Sequence, residues 1–173
     1  MTARVLAAIA ILIPLGWGQA TGMPWQEEVR SHAQVQDWPG AIRILDRELG
    51  RTPQNIEVRC WRARVFLWSG RLSDAEHEYR EVLLVAPADP DNWLGLATVY
   101  TRQGRTEDAK QALQVALILD SSRADIHIAR ARLMRATNEL TEARMEFRKA
   151  LHLEPSSQEA RAGLLSLNGE PKH

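Results

Sequence analysis

The strongest pattern in the chain is an internal repeat of 34 residues that continues without a gap through most of its length. Similar residues recur in the same columns of four frames, which span 22–55, 56–89, 90–123 and 124–157. A gapless period of this length is typical of helical solenoids, in which each repeat buries its apolar face against its neighbours. The chain is therefore expected to fold as an all-α array rather than around one central core.

Each column of the repeat has a physical role in a pair of packed helices. A small residue in the middle of every frame allows two helices to approach closely: Ala41, Ala75, Ala109 and Ala143. Spacings of three and four residues place the large apolar residues of a frame on one helical face. Gly70, Gly104 and Asn138 occur where a left-handed turn between the helices is expected. Ser73 and Glu76 predict a capping box at the start of one second helix.

The repeat resembles that of the tetratricopeptide-repeat (TPR) family across residues 22–168. The third frame matches the family's Trp, Leu, Tyr, Gly, Ala and Ala positions with Trp93, Leu96, Tyr100, Gly104, Ala109 and Ala116. This resemblance implies a right-handed α-solenoid of four helix-turn-helix repeats. It also implies a C-terminal capping helix at 158–168, and residues 169–173 are expected to form a flexible tail.

Several frames depart from the family pattern near the start of their first helix. Arg59 and His127 stand in place of the family's Trp. The slot that Leu96 fills in the third frame holds a charged residue in the other three: Glu28, Arg62 and Arg130. We expect these frames to pack more loosely, or to lay aliphatic Arg stems against the core.

The N-terminus has the pattern of a secretory signal peptide at residues 1–20. Arg4 precedes an unbroken apolar run from Val5 to Leu15, and Gly18 and Ala20 form a small-x-small site, so cleavage is expected after Ala20. The mature TPR domain would then span 21–168. The alternative is an uncleaved inner-membrane anchor, because no charge occurs from Val5 to Gln26. Either way, the repeats are expected outside the cytoplasm, in the periplasm of a Gram-negative cell.

Composition and motifs favour protein binding over chemistry. The 22 basic and 22 acidic residues give no net charge, whereas nucleic-acid binding calls for a basic face. The single cysteine, Cys60, excludes an intramolecular disulfide. The five histidines show no zinc-ligand spacing, and the glycines form no phosphate-binding loop. We therefore predict no enzyme activity, no metal and no cofactor, and the oligomeric state is left open.

The resemblance to TPR proteins also implies where a partner would bind. In that family the first helices line a concave face that commonly holds an extended or helical partner segment. Transferring those slots to this chain gives nine candidate partner-binding residues: Arg30, Arg64, Leu67, Trp68, Leu94, Arg102, Ile128, Arg132 and Arg135. Guanidinium forks among apolar side chains suit an acidic protein or peptide segment with apolar anchors. The alternative is a solvated face on which acids and arginines neutralise each other.

A second resemblance concerns Ala63 to Arg71, which reads ARVFLWSGR. This stretch is similar to part of the TPR segments that precede YaiO-type outer-membrane β-barrels. It implies a periplasmic adaptor in a cell-envelope or export assembly, with the membrane part on another chain. The leading hypothesis is thus an exported scaffold that binds a partner segment in its groove. The alternatives are a permanent structural subunit of an envelope complex, using its convex face and end caps, and a small-ligand protein or enzyme.

Overall fold

The computed structural model describes residues 24–168, and every regular element in that range is an α-helix. In chain order the helices are α1 (Trp25–Gln34), α2 (Trp38–Arg51), α3 (Ile56–Trp68), α4 (Leu72–Val85), α5 (Pro90–Arg102), α6 (Thr106–Leu119), α7 (Ala124–Ala136), α8 (Leu140–Leu153) and α9 (Gln158–Asn168). The predicted signal peptide and C-terminal tail lie outside the described residues. No helix within 24–168 has the length and apolar character needed to cross a membrane.

The two helices of each repeat are joined by a tight turn with one residue in the left-handed conformation. Gly70 (φ 81°), Gly104 (φ 75°) and Asn138 (φ 64°) confirm the predicted turn positions. The first repeat uses Gln36 (φ 58°) in the same column, which the sequence pattern did not indicate because glutamine rarely adopts this conformation. A shared turn in every repeat gives the helix pairs the same hairpin geometry.

Polar side chains cap some helix starts, but the predicted capping box at Ser73 is wrong. Asp37 accepts a hydrogen bond from the Gly40 amide at 2.9 Å, and Asn55 accepts one from the Val58 amide at 3.2 Å. Helix α4 begins at Leu72, so Ser73 lies inside the helix and makes no capping bond. Glu76 instead binds Arg105 of the next repeat at 2.9 Å, which links two repeats.

The helices stack into an α-solenoid of four helix-turn-helix repeats and a capping helix, as predicted. Each first helix packs on its own second helix, and each second helix packs on the first helix of the next repeat. Helices α3, α5, α7 and α9 also contact one another in series, which brings the first helices together on the inner side of the array. The concave face is therefore lined by these helices.

The core runs along the array as three adjoining apolar clusters. The four alanines of the small column, Ala41, Ala75, Ala109 and Ala143, are completely buried. Tyr79 and Phe147 occupy one column of repeats 2 and 4 and pack on glycines of the following first helix. A Cβ on Gly95 would lie 2.3 Å from the Tyr79 ring, so this glycine permits the close approach of α4 and α5.

Candidate functional site

Two of the predicted groove arginines are bound by carboxylates of the neighbouring repeat. Arg64 donates to Asp91 at 3.2 Å, and Arg132 donates to Glu159 at 2.9 Å. Arg123, which the groove prediction did not include, also contacts Asp91. These bridges join successive first helices along the concave face. An acidic partner would have to compete with these internal carboxylates for the same guanidinium groups.

The other three predicted arginines form no ion pair with a carboxylate in residues 24–168. The Arg30 guanidinium lies 5.3 Å from the centre of the Trp61 ring. Arg102 donates to the backbone carbonyl of Leu67, and Arg135 donates to the hydroxyl of Ser166 at 2.8 Å. These contacts satisfy some donors without cancelling the positive charge. Arg30, Arg102 and Arg135 are therefore the groove cations best able to attract a partner carboxylate.

The four predicted apolar residues have different environments. Leu67 and Ile128 are buried in the core, so neither side chain is available to a partner and both are removed from the binding surface. Leu67 belongs to the central core cluster, and Ile128 belongs to the core cluster of the last repeat and the capping helix. Leu94 is half-buried against the central core cluster. Trp68 is 48% exposed, as its place at the end of α3 predicted.

Trp68 belongs to one of two tryptophan pairs contributed by the first two repeats. Its ring lies 6.5 Å from that of Trp38, with a tilt of 43° between them. Trp25 and Trp61 meet edge to face at 6.1 Å. Trp38 and Trp25 are both half-buried. The two tryptophans of each pair occupy different columns of the repeat. Comparing the repeats column by column therefore did not reveal either pair.

Two arginines lie near Trp61, in one of these pairs. Arg30 lies over the Trp61 ring, and Arg64 approaches the same ring at 6.0 Å. Indole faces attract guanidinium groups because the ring quadrupole is negative above and below the plane. The first two repeats therefore combine accessible aromatic surface with positive charge. We call Trp25, Trp38, Trp61, Trp68 and Arg30 the aromatic patch.

The opposite end of the groove is polar. A pocket of about 440 Å³ lies between α7 and α9 and is lined by Arg132, Arg135, Glu159 and Ser166. Phe147, Ala162 and Gly163 also line it. Arg135 supplies positive charge there, while Glu159 holds Arg132. This end can accept a small anionic group, but it offers little apolar area to anchor a partner.

One hydrogen bond recurs at the position where the family pattern has tryptophan, even in repeats where another residue replaces the tryptophan. Trp93 Nε1 donates to the carbonyl of Pro87 at 2.8 Å. The bond is repeated at the same sequence separation by three other pairs: Arg59 with Pro53 at 3.3 Å, His127 with Ser121 at 3.2 Å and Arg161 with Pro155 at 3.0 Å. Each donor reaches back to the loop that enters its own helix. The tryptophan can therefore be replaced by other residues that carry a nitrogen donor.

Repeats 2 and 4 also hold a buried glutamate where repeat 3 has Ala112. Glu78 accepts from Arg62 at 2.6 Å, and Glu146 contacts His127 at 2.6 Å. Burial acts to raise the pKa of Glu146, but hydrogen bonds from Lys149 and His127 outweigh it and hold the pKa below its usual value. Both His127 and Arg62 therefore have a charged partner on the following helix, which the sequence pattern did not predict.

Three further residues of types that often carry chemistry are His32, Glu28 and Cys60. His32 binds Asp37 at 2.7 Å, and Glu28 binds Arg47 at 3.1 Å. Burial raises the pKa of the Cys60 thiol, which lowers the share of reactive thiolate near neutral pH. Over residues 24–168, no cluster of histidine, cysteine, aspartate and glutamate could hold a metal ion.

Comparison with known sequences decides the family. A sequence profile described as a tetratricopeptide repeat matches residues 27–92, 62–126 and 94–163. The chain belongs to the tetratricopeptide-repeat family. TPR arrays are scaffolds for protein–protein interaction, and the groove described above is the face on which such arrays present their first helices.

Individual relatives agree with this assignment. The chain is 31% identical over 100 residues to the TPR repeat-containing thioredoxin TTL4 of Arabidopsis thaliana, a match that covers 56% of this chain and 15% of that protein. A thermophilic TPR protein of Thermus thermophilus superimposes with a TM-score of 0.72 at 24% identity, covering 83% of this chain and 81% of the other.

A third relative was solved with a peptide. The first TPR domain of Spaghetti, bound to an HSP90 peptide, superimposes with a TM-score of 0.63 at 23% identity. The match covers 66% of this chain and 91% of that domain. At these identities the solved structures establish the fold that they share with this chain.

Proposed function

We propose that this TPR protein is an exported, non-catalytic adaptor that binds a segment of a partner protein on its concave face, within a cell-envelope or export assembly. The observation that carries the groove assignment is the exposure of Trp68 beside Trp38. Exposed indoles are uncommon on a solvated surface, and tryptophan is enriched among the residues that dominate binding energy. The bound HSP90 peptide of the Spaghetti domain supports a peptide segment as the kind of ligand.

The charges of the groove indicate the composition of that segment. Arg30 lies within the aromatic patch, and Arg135 lies at the polar end. A segment with an apolar or aromatic side chain for Trp68 and carboxylates on either side would meet both features. Arg64 and Arg132 contribute less, because Asp91 and Glu159 already bind them.

Site-specific crosslinking in cells tests the groove directly. A photoreactive phenylalanine analogue replaces Trp68 in one variant and Met145 in a matched control. Met145 is 49% exposed on the second helix α8, so both probes have similar solvent access on different faces. We expect one abundant crosslinked protein from position 68 and little from position 145. The same adduct at equal yield from both positions would contradict a groove site.

The export part of the proposal rests on the signal-peptide pattern at residues 1–20 and has its own test. Intact-mass measurement of the protein from a fractionated Gram-negative host should give a chain that begins at Thr21, in the periplasmic fraction. Retention of Met1 in the membrane fraction would support the anchored alternative. A full-length protein in the cytoplasmic fraction would contradict export altogether.

A further inference from the structure

The pocket at the polar end of the groove lies where the chain lacks a side chain that its other repeats possess. Helices α3, α5 and α7 each carry one bulky apolar residue, buried or half-buried, in one of two adjacent columns: Trp61, Leu94 and Ile128. Helix α9 has Ala162 and Gly163 in the same two columns, and both residues line the pocket of about 440 Å³ between α7 and α9. Among these four helices, α9 alone lacks a bulky residue in either column.

Phe147 determines which part of the pocket is free to receive a side chain. Its ring lines the pocket and is almost completely buried. A Cβ on Gly163 would lie 2.4 Å from this ring, so the column of Gly163 has no free volume. Ala162 is exposed, and its column holds Leu94 in α5 and Ile128 in α7. The free volume therefore lies beside Ala162, in a column where the chain itself uses branched aliphatic side chains.

The rim of the pocket carries a cation that has no ion pair within residues 24–168. Arg135 donates to the hydroxyl of Ser166 at 2.8 Å, and that hydroxyl donates onward to a backbone carbonyl of α9 at 2.7 Å. Arg132 differs, because Glu159 accepts a hydrogen bond from it at 2.9 Å. The pocket therefore has two cations and one carboxylate. A carboxylate beside the free volume could accept hydrogen bonds from the guanidinium of Arg135.

We propose that this pocket binds a branched aliphatic side chain of the partner segment (leucine, isoleucine or valine) that lies beside a carboxylate. The aliphatic group takes the place that Leu94 and Ile128 fill in the preceding repeats, and the carboxylate accepts hydrogen bonds from Arg135. The inference rests on the proposed function, because the pocket is part of the same concave face. The pocket selects which segments fit the polar end of the groove, while the tryptophans supply the larger apolar contact at the other end.

N-acetyl-leucine is a suitable probe, because it joins a branched aliphatic group to a carboxylate in one small molecule. Its titration into the isotopically labelled protein, followed by amide NMR, should shift the signals of Arg135, Ala162 and Ser166, with a dissociation constant on the order of 1–10 mM. N-acetyl-alanine lacks the branched group and N-acetyl-leucinamide lacks the carboxylate, so each should bind roughly tenfold more weakly. Equal binding of all three probes, or no shift around the pocket at about 50 mM N-acetyl-leucine, would overturn the proposal.

Filling the pocket tests its position. Ala162→Leu places in α9 the side chain that α5 already has in this column, and it should abolish the shifts caused by N-acetyl-leucine. Because Ala162 is exposed and leucine favours helix, this variant should keep the helical circular dichroism of wild type. Gln114→Leu is the matched control, since it adds the same side chain at an exposed position of the second helix α6, and it should bind the probe like wild type. Unchanged probe binding by folded Ala162→Leu would place the site elsewhere and refute the proposal.

Two further variants separate the charge from the shape and this pocket from the rest of the groove. Arg135→Gln should weaken binding of N-acetyl-leucine roughly tenfold but leave N-acetyl-leucinamide unaffected, because only the first probe has a carboxylate. Trp68→Ala should bind both probes like wild type, since Trp68 lies at the other end of the groove. Crosslinking from position 68 without any probe binding would overturn the pocket alone. Probe binding without a crosslinked partner would support the pocket and overturn the adaptor function.

Discussion

Repeats 3 and 4 share one frame but fill it with different chemistry. Repeat 3 uses Trp93, Leu96 and Ala112, whereas repeat 4 uses His127, Arg130 and Glu146 in the same three columns. Repeat 2 resembles repeat 4, with Arg59, Arg62 and Glu78. Across repeats 2, 3 and 4 the three columns therefore change together: a small apolar residue accompanies tryptophan and leucine, and a buried glutamate accompanies basic residues. The comparison teaches that the frame requires a filled space and a nitrogen donor rather than one residue type.

Repeat 4 satisfies its buried charge better than repeat 2 does. Glu146 receives hydrogen bonds from both His127 and Lys149. In repeat 2, Glu78 Oε2 and Arg62 Nε are buried without a hydrogen-bond partner, and Arg59 approaches Glu78 only at 3.9 Å. Unsatisfied buried polar groups reduce stability. The pairing of a buried glutamate with basic residues is therefore best tested in repeat 4.

The largest expected effect comes from removing the buried carboxylate. Glu146→Ala should lower the free energy of unfolding by about 3 kcal/mol, because it leaves a cavity and deprives His127 and Lys149 of their partner. Urea denaturation followed by circular dichroism measures the change. A loss below about 0.5 kcal/mol would mean that the pair contributes no more than a surface contact.

A transplant of the repeat 3 residues sharpens this comparison. The triple variant His127→Trp, Arg130→Leu and Glu146→Ala places the apolar set in repeat 4. Since hydrophobic replacement of a buried ion pair is often neutral or stabilising, the triple variant should recover most of the stability that Glu146→Ala loses. If it unfolds as readily as Glu146→Ala, the two sets are not interchangeable and the comparison fails.

A smaller effect is expected in the column that both repeats share. Ala109→Leu should destabilise the fold by about 1–3 kcal/mol, because the added side chain has no space at a completely buried helix contact. Ala143→Leu should behave alike in repeat 4. Thermal melting of both variants provides the check, and an unchanged melting temperature for either would contradict the assignment of this column.

The smallest expected effect is on the response to acid. The folded-state pKa of Glu146 lies below its unfolded value, so its contribution is present above the unfolded pKa and is lost as pH falls through the folded pKa. Wild type should therefore lose more stability than the triple variant between neutral pH and about pH 3. Denaturation curves at several pH values measure this difference. Parallel curves for the two proteins would show that Glu146 is not the cause.

The sequence predicted the helices well because the 34-residue period constrains every repeat at once. The buried alanine column and three of the four left-handed turns followed directly from it. The ion pairs of the charged columns were harder to predict, because the pairing of Glu146 with His127 joins side chains 19 residues apart on different helices. The partner-binding residues of the groove stay a prediction. Family slots placed Trp68 and Arg30 on the candidate face, but they could not show that Asp91 and Glu159 bind two of the arginines or that Leu67 and Ile128 are buried.

The groove arginines provide a graded test once crosslinking has identified the partner segment. Arg30→Glu with Arg135→Glu should weaken binding more than Arg64→Glu with Arg132→Glu, because only the second pair is bound by carboxylates within residues 24–168. Titration calorimetry at low and high salt measures both affinities. Equal losses for the two double variants would indicate that the internal ion pairs do not limit binding.

The affinity of Trp68→Ala for that segment tests the central claim most directly. Titration calorimetry of wild type, Trp68→Ala and the control Met145→Ala, all with matching helical circular dichroism, gives the binding free energies. We predict that Trp68→Ala weakens binding by about 2 kcal/mol or more, while Met145→Ala binds like wild type. If folded Trp68→Ala binds the segment as tightly as wild type, the concave aromatic patch is not the binding site and the account is wrong.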